Sequence, residues 1–145
     1  MPDKNYNDGV ACGVPWAYSS TVKDHFFNPR NVLKDDEPFD PHGTGVVGSP
    51  ACGDVMLVAI QVCDGRIAAC RWRTFGCASA IASTSMMSCM ATEAGGMTLE
   101  RAKRLKPEEI LERLDGLPDR KFHCSVLGQE ALREAVLEYE RTHGH

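Results

Sequence analysis

Two apolar runs of strand length flank the dipeptide Asp64-Gly65, and together they constrain the fold more than any other stretch of the chain. Val55 to Val62 is dense in β-branched and aliphatic residues, the pattern of a buried strand. Asp-Gly is a favoured pair for a two-residue hairpin turn, whose central positions take positive φ. Ile67 to Phe75 then returns as a second strand, with Arg71 and Arg73 on one face and Cys70 and Trp72 on the other. A regular hairpin closed by this turn sets Cys63 opposite Arg66 and Cys70 opposite Ala59, so those two cysteines do not meet.

A sheet this small needs a covering layer, and the next segment supplies one. After Gly76 comes ASAIASTSMMSCMATEA, nearly uncharged and made of small residues and methionines. It predicts a helix buried closely against the sheet, ended by Gly95-Gly96. Upstream, Ser20 to Phe27 predicts a short helix stopped at Asn28-Pro29. Residues 33–50 read as a long loop with a short edge strand around Val46-Val47. Thr98 and Pro107 open two short helices, the second with Glu108 and Glu109 at the positive end of its dipole. Leu117-Pro118 is a break. A final helix from about Ser125 to Arg141 carries the stripe Leu127, Ala131, Leu132, Ala135, Val136 and Tyr139 at helical spacing. The fold class is α+β: a small three-stranded antiparallel sheet with helices packed on it.

The chain's 145 residues suit one domain. Residues 1–17, rich in Gly, Asn, Asp and Pro without periodicity, read as a flexible N-terminal arm, and residues 18–145 as the domain. The net charge of −4 carries no nucleic-acid footprint. The basic residues Arg71, Arg73, Lys103, Arg104 and Lys106 are interleaved with acids and read as a solvated face, a docking surface for an acidic partner being the lesser reading. No stretch has the ~20 apolar residues of a membrane span. The first residues resemble neither a signal nor a transit peptide, which places the protein in the cytoplasm. Seven cysteines, an odd number spread along a chain with a real core, argue for reduced thiols, some of them metal-binding or reactive.

Three cysteines sit at element boundaries. Cys52 lies in the turn Ser49-Pro50-Ala51-Cys52-Gly53-Asp54, Cys77 where a strand hands over to a helix, and Cys124 after His123 where the last helix starts. A thiolate at a helix N-terminus is stabilised by the dipole and free amides. Sulfur with imidazole and carboxylate in reach suits zinc, ferrous iron or an iron–sulfur cluster, so Cys52, Asp54, Cys77, His123 and Cys124 form the candidate ligand set. Their separations are long, and buried cysteines acting as small apolar residues are the alternative. Cys63, Cys70 and Cys89 read as such structural thiols. Cys12, in the arm, reads as an exposed thiol without a task. His25 reads as capping or packing, and His42, His143 and His145 receive no role.

At these motifs the sequence resembles the IscU/NifU-type scaffolds of iron–sulfur cluster assembly. The matching stretches are Tyr18 to Asn31 (YSSTVKDHFFNPRN), Gly48 to Met56 (GSPACGDVM), Thr74 to Ser83 (TFGCASAIAS) and Lys121 to Leu127 (KFHCSVL). The resemblance implies the α+β fold with cysteine-bearing loops at one end. It also implies an assembly scaffold and carrier rather than a classical enzyme. A cysteine desulfurase of IscS/NifS type delivers persulfide sulfur, Fe2+ binds at the same site, a ferredoxin-type reductant supplies electrons, and the [2Fe–2S] cluster passes to apo-proteins. By the resemblance Cys52, Cys77 and Cys124 are cluster ligands, Asp54 and His123 exchange as metal ligands, and Cys124 accepts the persulfide. Asp54 keeps the site labile for release, Lys121 gates access or is a plain surface lysine, and Tyr18 serves self-association into a homodimer or simply packs.

Some residues depart from the pattern. Leu117-Pro118-Asp119-Arg120-Lys121 stands where Isc-type members carry a double-proline site for an Hsp70-type chaperone, which speaks against that partner here. Ala78 stands where Gly is common. The segment Val126 to Glu130 is closer to the NifU branch, though the chain ends without NifU's additional C-terminal domains. A zinc-dependent sulfurtransferase partner of the desulfurase, as in the SufU type, would use the same cysteines and hold Zn2+; His123 and the lack of a long insertion before Cys77 speak against it. A metal-stabilised interaction domain is a further alternative. A hydrolase built on Cys124 and His123 is disfavoured, because adjacent side chains at a helix start tend to diverge.

Overall fold

The hairpin forms where its turn chemistry places it. In the computed structural model, which describes residues 18–49, 53–117 and 122–143, strands β2 (Asp54–Cys63) and β3 (Arg66–Phe75) pair antiparallel. Asp64 and Gly65 both adopt positive φ, 54° and 75°, as this tight turn requires. The edge strand β1 (Gly43–Ser49) adds antiparallel to β2, giving the order β1-β2-β3.

The register departs from expectation at one point. Cys63 faces Arg66, but Cys70 pairs with Ile60 rather than Ala59, because a bulge beside Gln61 and Val62 inserts Ala68 without a partner. The Val62 N–H at this irregularity donates to His42 Nδ1 at 2.9 Å. His42, which sequence reasoning left without a role, therefore pins the start of β1 to the bulge.

One sheet face carries Met56, Val58, Ile60 and Trp72, all buried, and it is covered by α2 (Ala78–Thr92) and α5 (Phe122–Thr142). Helix α2 has no polar face: within it only Ile81, Cys89 and Thr92 escape full burial. Its hydroxyls find partners instead, with Ser83 the exception among the described residues. Ser85 Oγ lies 2.8 Å from His25 Nδ1 and accepts from the Arg30 amide, and Ser88 Oγ accepts from Asn31 Nδ2. These bonds fasten α1 (Ser20–Phe27), capped by Ser19, and the segment after it. His25 is thus a packing residue.

Helix α5 meets β1 backbone to backbone. A methyl group on Gly45 would stand 2.6 Å from the Ala135 nitrogen, and one on Gly43 2.9 Å from Tyr139 Cβ. Ala131 and Ala135 are fully buried there. Between α2 and α5, a short 3₁₀ turn (Glu93–Gly95) leads to α3 (Leu99–Lys103), capped by Thr98, and α4 (Pro107–Arg113), with Pro107 in its first turn.

Arg71, Arg73 and Lys103 each pair with acids. Arg71 meets Glu37 at 2.8 Å, Arg73 meets Asp35, and Lys103 meets Glu100 and Glu140 at 3.0 Å each. Cys70 is buried and Cys89 partly so, but Cys63 is exposed at the hairpin end, where a strand terminus leaves its thiol uncovered. Among the described residues no helix is long and apolar enough to cross a membrane.

Candidate metal and sulfur centre

Asp54 opens β2 on the covered face of the sheet and is only 3% exposed. Its carboxylate fits because residue 76, just past β3, is glycine: a methyl group there would stand 3.0 Å from Asp54 Cγ and nearer still to Oδ1. Cys77 follows as the N-cap of α2, with extended backbone (φ −76°, ψ 175°) and its carbonyl accepting the first helical bond from Ile81. Its thiol therefore lies at the positive end of the α2 dipole. His123 and Cys124 come from the first turn of α5.

These four side chains converge. His123 Nε2 lies 3.3 Å from Asp54 Oδ2 and 3.6 Å from Cys124 Sγ; Cys124 Sγ lies 3.9 Å from Asp54 Oδ2. The Cys77 and Cys124 sulfurs are 3.8 Å apart. One carboxylate oxygen, one imidazole nitrogen and one thiol thus fall within 4.8 Å of one another, with a second thiol touching the first. Cys124 is fully buried and Cys77 partly exposed. Thiolate and imidazole donors with one carboxylate suit a borderline-soft divalent ion such as Zn2+ or Fe2+.

Of the sequence-predicted residues, the structure brings Asp54, Cys77, His123 and Cys124 together, while Cys52, Lys121 and Cys12 lie outside the described residues. One expectation fails. The neighbouring side chains of His123 and Cys124 do not diverge: one ring nitrogen, Nε2, lies beside both Asp54 and the Cys124 sulfur. This contact still does not make a hydrolase pair. Such a histidine faces the nucleophile with one ring nitrogen and its orienting group with the other, whereas here Nε2 faces both Cys124 and Asp54.

Sequence reasoning missed Ser79. Its hydroxyl lies 3.6 Å from Cys77 Sγ and 2.7 Å from the Tyr18 hydroxyl, with Ser79 fully buried and Tyr18 5% exposed. A serine two places after a helix-capping cysteine gives no signal in a run of small residues. Tyr18 packs in this structure through that bond. Of the remaining thiols, burial pushes Cys70 up to about 12 and Cys89 above the ordinary thiol value, which keeps them protonated and inert.

Fold and site together describe a three-stranded α+β protein with a thiol–imidazole–carboxylate cluster gathered at one end. Residues 17–145 match the family model described as the NifU-like N terminal domain. "Iron-sulfur cluster assembly scaffold protein IscU" of Azotobacter vinelandii is 48% identical over 130 residues, covering 88% of this chain and 98% of that protein. "Iron-sulfur cluster assembly scaffold protein IscU 1" of Archaeoglobus fulgidus is 47% identical over 127 residues, covering 88% of this chain and 79% of its own. In fold, the chain resembles the N-terminal NifU-like protein of Brucella abortus, with a TM-score of 0.63 at 19% identity over 85% of this chain and 94% of that one. The chain belongs to the NifU-like N-terminal domain family.

Proposed function

We propose that residues 18–145 form a scaffold on which a [2Fe–2S] cluster is assembled and from which it is transferred to apo-proteins. The observation that carries this reading is the contact of the Cys77 and Cys124 sulfurs beside Asp54 and His123. Fe2+ and sulfur are the cargo. Cys77, Cys124 and Cys52 hold the cluster irons, with Asp54 and His123 exchanging as ligands during assembly. Sulfur arrives on Cys124 as a persulfide from a cysteine desulfurase, and a ferredoxin-type reductant supplies the electrons. The relatives named as assembly scaffolds support this role.

Each group has a rationale in its chemistry. Thiolates bind cluster irons tightly, whereas a carboxylate is a harder and weaker partner, so Asp54 keeps the site able to release what it builds. The same four donors also suit Zn2+. A zinc-holding sulfurtransferase built on them is the second reading, and bound zinc alone does not separate the two.

An anaerobic assembly assay does. Fe2+, cysteine, a cysteine desulfurase and a reductant are added, visible absorbance is followed, and apo-ferredoxin is then supplied. The expected result is a [2Fe–2S] spectrum that requires Cys52, Cys77 and Cys124 and moves to the acceptor. Persulfide on Cys124 with bound zinc and no cluster would establish the sulfurtransferase instead.

A further inference from the structure

We infer that the Cys77 thiol is a built-in reductant for the sulfur carried on Cys124, splitting that persulfide to release hydrosulfide whenever no metal occupies Cys77. The inference rests on the reading of Cys124 as persulfide acceptor and adds a reaction to it. The two sulfurs are 3.8 Å apart, in van der Waals contact with no atom between them. They belong to different elements, the N-cap of α2 and the first turn of α5, so the fold presses one thiol against the other. Ser79 Oγ sits 3.6 Å from the Cys77 sulfur and is itself held by Tyr18, which leaves Cys77 a fixed neighbour rather than a wandering one.

The sulfur that Cys77 touches is Cys124 Sγ, the inner sulfur of the persulfide. Thiol–disulfide exchange depends on which sulfur is attacked and on how well the other one leaves. When Cys77 Sγ attacks the inner sulfur, a Cys77–Cys124 bond forms and the bond to the outer sulfur breaks. Hydrosulfide is a better leaving group than an alkyl thiolate, so this direction is favoured. The outer, sulfane sulfur gains two electrons and departs as HS−. The two cysteine sulfurs are oxidised to a disulfide, and the Cys77 proton leaves on the hydrosulfide. Starting from Cys124–S–S− and Cys77–SH, the products are the disulfide and HS−, with charge and atoms conserved. A metal on Cys77 engages the attacking thiolate, so a persulfide survives on a loaded site and is discharged on an empty one. Iron before sulfur is then the productive order, and the empty protein arrests itself as a disulfide until a thiol or dithiol reductant reopens it.

The test uses the full chain, reduced, metal-free, in anaerobic buffer without added thiol. It is charged with one equivalent of sulfur from a persulfide-loaded cysteine desulfurase freed of cysteine. Sulfide is measured colorimetrically, and the protein is mapped by mass spectrometry without reduction. The expected result is one hydrosulfide per chain and a Cys77–Cys124 disulfide. In Cys77→Ser the extra sulfur should stay on Cys124 and sulfide release should fall by about tenfold or more. Serine is a favoured N-cap, so this variant keeps the start of α2. Cys63→Ser, far from the site, should behave as the parent. Fe2+ added before the sulfur should preserve the persulfide.

The inference is overturned if the parent keeps its persulfide, if the extra sulfur is found on Cys77, or if the disulfide runs to Cys52. Each of these leaves the scaffold reading standing. If the Cys77→Ser variant never acquires sulfur on Cys124, the acceptor reading itself fails, and the inference with it.

Discussion

Asp54 and Gly76 act as one unit, because the absence of a side chain at 76 is what lets the carboxylate lie where it does. Gly76→Ala should destabilise the fold by about 1–3 kcal/mol, the usual cost of overpacking. Most of that loss should disappear in an Asp54→Ala background, a coupling that urea denaturation of the double-mutant cycle would read. By the proposed role of the carboxylate, Asp54→Ala alone should slow cluster transfer and let cluster accumulate; faster transfer to apo-ferredoxin would refute that role. The thiols divide as sharply. In the native protein, alkylation at mildly alkaline pH should label exposed Cys63 but spare Cys70, which is buried and pushed up to about 12, until denaturant is added. Site residues were legible in the sequence where type and position coincided, as with a cysteine at a helix start. Ser79 and Gly76 were not, since their contribution is a contact or a space, and neither leaves a mark in residue type.

At the scale of elements, the hairpin, the Gly95-Gly96 stop and the Pro107 start were legible because local chemistry decides them. The bulge beside Val62 was not, because its freed amide is met by a histidine twenty residues earlier, whose ring nitrogen accepts the Val62 N–H. The β1–α5 contact was equally hidden. A glycine-containing edge strand gives no hint that a helix backbone lies on it, yet Gly45→Ala should cost about 1–3 kcal/mol and lower the melting temperature. Helix α1 hangs on His25. Burial holds this imidazole below its ordinary value of 6.5, and its ring meets Ser85. A histidine depressed in the folded state contributes stability that is full above its unfolded pKa and is lost as pH falls through the folded one. Stability should therefore decline from about pH 6.5 downward, and His25→Asn should flatten that part of the profile in thermal melts run across pH.

For the whole molecule, the decisive property is that the donors come from three places remote in sequence, the Asp54, Cys77 and His123-Cys124 segments, which meet only in the folded state. Asp54 and Cys124 lie 70 residues apart, and Cys77 and Cys124 lie 47 apart. The unfolded chain does not hold all four together, so a divalent ion bound there favours the folded state. Zn2+ at about a hundredfold excess over its Kd should add ~2.7 kcal/mol of stability. His123→Ala should lose most of that gain, and a thermal-shift titration would measure it. That such residues would converge could not be read from their spacing, which is too long for any local motif; it followed from the resemblance of the surrounding segments, and the packing of α5 over the sheet supplies the physical cause. There is also a consequence for the order of events during synthesis. Two of the four donors stand on α5, so a growing chain that has already made its sheet and α2 still lacks half of the cluster. Only after α5 has left the ribosome and laid itself across β1 do the four donors meet, so by the proposed function loading must wait for that helix to dock.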